Sequence, residues 1–359
     1  MSNVIPLPLS SRRKSATPSG PDALIDSFAQ FRRLPDDVFW LKENAELLNI
    51  LECTGKKLSE RALQPHDAFY RSAERRLAFF PQYYRFLLSI CLDLEDLGQA
   101  GDTAAALIDA VAKQGLAESE LSDLQRLEAR RLMLRRGVDP FAGDGGLESR
   151  VRRFIGRPER FAVPDKKAAY ELTHAVFYLG EYGRRDPQLS PQAATSLEFA
   201  GLLAYLDQNA DLLAEICIAM RHAGLVPSDI WENWLRRETL RFQLPVGQQV
   251  NVADDYHTYL TGNWLLAARG AEAFHTPGGS GRMGFVRVKS YAGPLRDMSV
   301  CLYRLQDARR ADWRAMQPHI EAALTEIGRD ILCEARHSSD RFEAFFASFA
   351  RAGDAGASQ

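Results

Sequence analysis

Apolar residues recur at three- and four-residue spacing along most of the chain, so the pattern predicts amphipathic helices separated by short Gly/Pro breaks. Leu24, Phe28 and Phe31 mark a first helix from Pro21, and Asp36 or Asp37 caps a second that passes Trp40 and ends at Thr54. Pro81 divides the periodic stretch 66–98 into Asp67–Phe79 and Gln82–Leu97, with Phe79, Phe80, Tyr83, Tyr84 and Phe86 at the joint. Thr103–Gln114 and Ser119–Arg136 follow. Residues 137–146 then hold four glycines and a proline, the expected linker between an N-terminal helical half, 21–136, and a C-terminal half, 147–352. Residues 1–20, rich in Pro and Ser with a basic Arg12–Lys14 run, and 353–359 read as disordered tails.

In the second half, Pro164-Asp165 opens a helix closed by Gly183, and the rest of the chain is read as packing around its Tyr170–Gly183 portion. Helices are predicted from Pro191 to Asp207, over Leu212–Ala223 and Asp229–Phe242, and from Tyr256 to Phe274. Phe285–Tyr291 alternates and is β-branched, which predicts one short extended segment. Helix resumes from Met298 to Ala335, broken near Pro318, and ends with Ser339–Ala352. The fold class is all-α, with antiparallel helix pairs packed as a multi-helix bundle or an α/α toroid.

Composition narrows the function classes. A net charge of −2 supplies no global field to attract nucleic acid or an acidic membrane. No stretch approaches the roughly 18 apolar residues of a spanning helix. Five dispersed cysteines, without a C-x-x-C pair, fit a reducing cytoplasm better than a disulfide framework. The apolar run Val4–Leu9 is interrupted by prolines and is too short for a signal peptide.

Candidate chemistry converges from three predicted helices. Glu171-x-x-His174 places two ligands on one helix face, which Tyr178 and Glu181 continue; Asp211-x-x-x-Glu215 does the same, with His222 further along; Asp254-x-x-His257 supplies a third pair. Glu171, His174, Asp211, Glu215, Asp254 and His257 are therefore candidate metal ligands, suited to iron, manganese or zinc, and His174, Glu215 and His257 candidate catalytic residues. Asp211 and Asp254 also stand where helices begin, where capping explains a carboxylate equally well, and Glu171 can pair with Lys167. Without a metal, His174 and Glu215 remain an acid/base pair.

Other signals are weaker. Arg126, Arg130, Arg131, Arg135 and Arg136, with Arg150, Arg152, Arg153, Arg157 and Arg160, form either an anion-binding face or solvated helix faces neutralised by interleaved acids; the second reading is favoured. Gly279-x-Gly281-x-x-Gly284 lacks the βαβ context of a dinucleotide site and reads as a loop able to close over a pocket, with Arg282 reaching an anion. Cys333 and His337, four apart, lack further ligands. The segments ELTHAVFYLGEYG and NADLLAEI resemble segments of uncharacterised bacterial all-helical families over Tyr170–Trp264, and that resemblance implies a helical unit but no activity. Two functional readings stand: an enzyme, metal-dependent, with a pocket lined by His174, Glu215 and His257 that takes a small molecule or peptide, or a non-catalytic scaffold binding a protein or peptide in a groove.

Overall fold

The computed structural model describes residues 18–352 apart from 60, 277 and 289–291. Helices α1 (Pro21–Gln30), α2 (Val38–Cys53), α3 (Asp67–Phe79), α4 (Tyr84–Asp96), α5 (Thr103–Gln114) and α6 (Asp123–Leu134) precede the Gly-rich stretch. After it come α7 (Leu147–Ile155), α8 (Pro158–Phe161), α9 (Lys166–Leu179), α10 (Pro191–Leu206), α11 (Ala210–His222), α12 (Asp229–Leu240), α13 (Tyr256–Ala268), α14 (Leu295–Leu305), α15 (Trp313–Ala323), α16 (Glu326–His337) and α17 (Phe342–Ala350). Many helices start where a side chain can replace a missing intrahelical acceptor. Asp37 accepts from the Phe39 amide, Asp165 from Ala168, Ser190 from Ala193, Asn209 from Leu212 and Thr325 from Gly328.

The protein is all-α among its described residues, and its helices pack mainly on sequence neighbours: α2 on α1 and α4, α4 on α5 and α6, and α11 on α9, α10, α12 and α13. The hub is α11 rather than the Tyr170–Gly183 helix. Leu212, Leu213, Ile216, Cys217, Ile218 and Met220 bury it on nearly every side, as an apolar circumference requires. A single apolar cluster runs from Ala23 to Ala350, and contacts of α13 with α2 and of α6 with α9 join early and late parts of the chain. That joining brings α2 and α6 side chains to the site described below.

Close approach in this core depends on Gly201. A Cβ there would lie 2.5 Å from two ring carbons of the buried Trp231 side chain. Gly201→Ala is expected to cost about 2 kcal/mol net, since overpacking of up to about 3 kcal/mol outweighs about 1 kcal/mol of helix propensity. Denaturant unfolding reads this directly; an unchanged midpoint would mean that Trp231 repacks freely.

Several elements differ from the sequence pattern. The predicted helix through Gly183 stops at Leu179, and Glu181 and Tyr182 adopt φ of 47° and 55°, so Glu181 leaves the helical face and pairs with Arg185 instead. Pro318 lies inside α15 and does not break it; the breaks fall at 306–312 and at Leu324-Thr325, where Thr325 caps α16. Extended pairing takes the form of two isolated antiparallel bridges, Gln243 with Val286 and Val246 with Met283, while 289–291 lie outside the described residues.

Of the expected tails, 1–17 and 353–359 lie outside the described residues as well. Residues 18–20 are fastened to the Gly-rich loop, the Gly279 amide donating to Pro18 O and Thr276 Oγ1 to Gly20 O. That loop is pinned and is not a lid: Arg282 donates to the carbonyls of Phe31 and Gln248, Met283 is buried, and Ser280 donates to Asp26.

Candidate metal centre

Helix α9 presents His174 to α11, and helical rotation decides which of its neighbours come along. At about 100° per residue, Tyr170 lies about 40° to one side of His174 and Glu171 about 60° to the other. Tyr170 and Thr173 accordingly face α11: Tyr170 OH donates to Asp211 Oδ2 at 2.7 Å and Thr173 Oγ1 to Glu215 Oε2 at 2.6 Å. Glu171 points away, lining a separate cleft with Asp123 and Arg150 and standing 3.8 Å from Lys167.

On α11 the cap falls to Asn209, which frees Asp211 for tertiary contacts. Asp211 Oδ1 lies 2.7 Å from His257 Nδ1 and accepts from Thr261 Oγ1 at 3.0 Å, both from α13. An ionised carboxylate only accepts, so His257 Nδ1 carries the proton in this contact. The other ring nitrogen, Nε2, then faces Glu215 Oε1 at 3.9 Å and Glu46 Oε1, from α2, at 3.8 Å. His174 Nε2 stands 3.8 Å from Glu215 Oε2. These spacings exceed hydrogen-bond lengths. They match the roughly 3–4 Å that separates two donor atoms each about 2.1 Å from one ion. One ligand atom from each of Asp211, Glu215 and His257 lies within 4.8 Å of the others.

The charges are lopsided. Burial disfavours an imidazolium at His257, but the carboxylates of Asp211, Glu46 and Glu215 together outweigh it and hold the ring up at about 10. Burial likewise works to raise Asp211, and the His257 charge with hydrogen bonds from His257, Tyr170 and Thr261 brings it below the ordinary carboxylate range. Glu215, buried and beside Asp211, is raised despite His174, His257 and the Thr173 hydrogen bond. Three carboxylates thus close on one imidazolium.

The cluster opens into a cleft of about 200 Å³ whose other walls are Phe177, Tyr178, Tyr182, Trp264, Asn49 and Arg131. Of the residues singled out in the sequence, His174, Asp211, Glu215 and His257 come together here. Asp254 does not: both its oxygens accept from Arg32, at 2.9 Å each, and it supports the packing of α1 on the 283–285 segment. His222, at the end of α11, packs against Phe177 and Trp264, and burial lowers it to about 4. Cys333 and His337 face each other at 3.7 Å on the exposed surface.

Glu46, Tyr170, Thr261 and Arg131 were not singled out for this site. Glu46 is one of several acids on α2, and nothing in its local pattern separates it from Glu43, which binds Arg32 and Arg33. Tyr170 and Thr261 carried a usable signal, since each lies four residues from a chosen histidine on the same helix face.

Neither the curated proteins nor the solved structures contain a match to the chain. A family model does match it, over 1–352, well beyond the 170–264 region that resembles uncharacterised helical families. The chain belongs to that family, described as a domain of unknown function, DUF6902.

Proposed function

We propose that the protein is a metal-dependent enzyme whose cleft holds one divalent ion on His257 Nε2 and Glu215, with His174 on the other oxygen of Glu215, Glu46 beside His257 Nε2 and Asp211 orienting the His257 ring. One observation carries the reading. His257 is anchored through Nδ1 to Asp211 at 2.7 Å while Nε2 looks across 3.9 Å at a Glu215 oxygen, too far for a hydrogen bond and right for a shared cation, and Asp211, Glu215 and His257 each bring a ligand atom within 4.8 Å of the others. A carboxylate behind a ligating imidazole is the usual support of a metal-bound histidine. The local excess of carboxylates supplies the electrostatic reason for a dication.

Imidazole and carboxylate donors with open positions are the ligands of hydrolytic zinc centres and of oxygen-activating ferrous ones. A bound ion would generate hydroxide from water at neutral pH or polarise an oxygen of the substrate. Elemental analysis of protein purified without added metal tests this. About one equivalent of zinc, iron or manganese is expected, removable by chelator and missing from His257→Ala, and its identity distinguishes water from oxygen chemistry. Metal-free protein whose melting temperature ignores added Zn²⁺, Mn²⁺ and Fe²⁺ would sink the proposal.

A further inference from the structure

We propose that Arg131 is an anion-binding residue for the same cleft, receiving the carboxylate of a small acid whose apolar or aromatic body lies against Phe177, Tyr178, Tyr182 and Trp264. Arg131 is only 5% exposed, and its Nε and Nη1 have no hydrogen-bond partner. The neighbouring arginines of the basic stretch are neutralised: Arg130 by Asp139 and Glu148, Arg135 by Asp93 and Asp96, Arg136 by Glu95 and Asp96, Arg150 by Asp123 and Asp144. Within the cleft, Arg85 is held by Glu120 and Glu128, and Lys42 stands 3.6 Å from Glu46. Among the described residues lining the cleft, Arg131 is thus the guanidinium or ammonium with no carboxylate within ion-pair distance.

Its surroundings do not supply a substitute. Arg131 lies over the Tyr182 ring, 4.6 Å from the centroid, and 5.9 Å from that of Tyr178. A ring face attracts the cation without replacing its lost hydration. The buried Asp93 feels the charge, but its Oδ1 accepts from Arg135 at 2.7 Å and its Oδ2 from Ser89 at 3.2 Å; Glu52 gives Oε1 to Arg184, and its buried Oε2, though unpartnered, is not within ion-pair distance of Arg131. A second buried donor on the cleft wall, Asn49 Nδ2, is also unpartnered. Two donors lacking acceptors call for a group that only accepts.

A carboxylate fits better than a phosphate. Glu46, Glu128 and Glu215 line the same small space and would repel a dianion, whereas one negative charge matches one guanidinium. The aromatic walls complete a site for a compact acid, its head at Arg131 and its remainder reaching toward His257. The assignment rests on the metal reading for the reacting end of the molecule and stands without it for binding.

Calorimetric titration of phenylacetate and of phenylacetamide into the full chain, chelator-treated and zinc-supplemented, tests the proposal. The acid is expected to bind at least about tenfold more tightly than the amide in both preparations, the gain of a charge-assisted hydrogen bond at a buried site. Arg131→Gln should erase that difference and Arg131→Lys retain part of it, with thermal melts confirming that both variants fold. Equal binding of acid and amide overturns the proposal, as does a preference for inorganic phosphate, or failure of phenylacetate, 4-hydroxybenzoate and hexanoate alike. An Arg131→Met variant that melts higher and still prefers the acid would overturn it too, marking a merely structural cation. Acid preference in a protein that takes up no metal would sink the metal centre and leave the carboxylate site intact.

Discussion

Arg32→Met is expected to destabilise the protein by about 3–5 kcal/mol, the cost of breaking a buried ion pair from one side. The Arg32 side chain has no exposure, and its guanidinium donates to Glu43, to both oxygens of Asp254 and to the Met283 carbonyl, at 2.7–2.9 Å. It also lies 4.9–5.2 Å from the ring centroids of Phe28, Tyr256 and Phe285. Methionine keeps much of the volume and removes every donor, so Asp254, 5% exposed at its side chain, loses its cation, and Glu43 keeps only Arg33. The triple change Arg32→Met, Glu43→Gln, Asp254→Asn should recover much of the loss, because neutral amides do not pay for an unpaired buried charge. A denaturant-measured loss below about 1 kcal/mol for the single variant would mean that the carboxylates regain water, contrary to this packing. Because Asp254 serves this junction, its replacement by Asn should leave the metal content unchanged.

Local rules read the helices well because helices are local. Asp37, Asp165 and Asn209 announce starts that need no tertiary information, and Gly115 at φ 62° ends α5 where a left-handed residue is required. The stop at Leu179 was hidden, because Gly183 looked like the terminator while Glu181 and Tyr182, both non-glycine, take the positive φ. Residues of the cleft are legible only through spacing. Spacing brought out His174, Glu215 and His257, but it treats Asp254-x-x-His257 as one unit although Asp254 pairs with an arginine 222 residues away. Glu46 and Arg131 come from helices on the other side of the Gly-rich stretch, and only the docking of α2 on α13 and of α6 on α9 carries them to the cleft. The bland account of the arginine cluster holds for Arg130, Arg135, Arg136 and Arg150, each tied to acids, and fails for Arg131, which sequence alone cannot distinguish from its neighbours.

Near pH 10, Asp211→Asn should weaken metal binding by about 10–100-fold, as loss of a carboxylate behind a ligating histidine does, and its pH signature separates that role from simple packing. In the folded protein His257 is held at about 10, against an ordinary value of about 6.5. Its raised value stabilises the metal-free fold fully below about pH 6.5, and that contribution is lost as pH rises through about 10. Metal must displace the Nε2 proton while Nδ1 stays bound to Asp211, so each ion taken up between about pH 7 and 9 releases about one proton. Affinity should therefore climb about tenfold per pH unit in that window, and calorimetry in buffers of different ionisation enthalpy counts the proton. An asparagine lowers the imidazolium toward its ordinary value and relieves proton competition, so Asp211→Asn is expected to show its full defect near pH 10 and to lose or reverse it near pH 7. Wild-type binding with no pH dependence, or a variant defect equal at both ends, would remove Asp211 from this role and return it to the packing of α11 against α13.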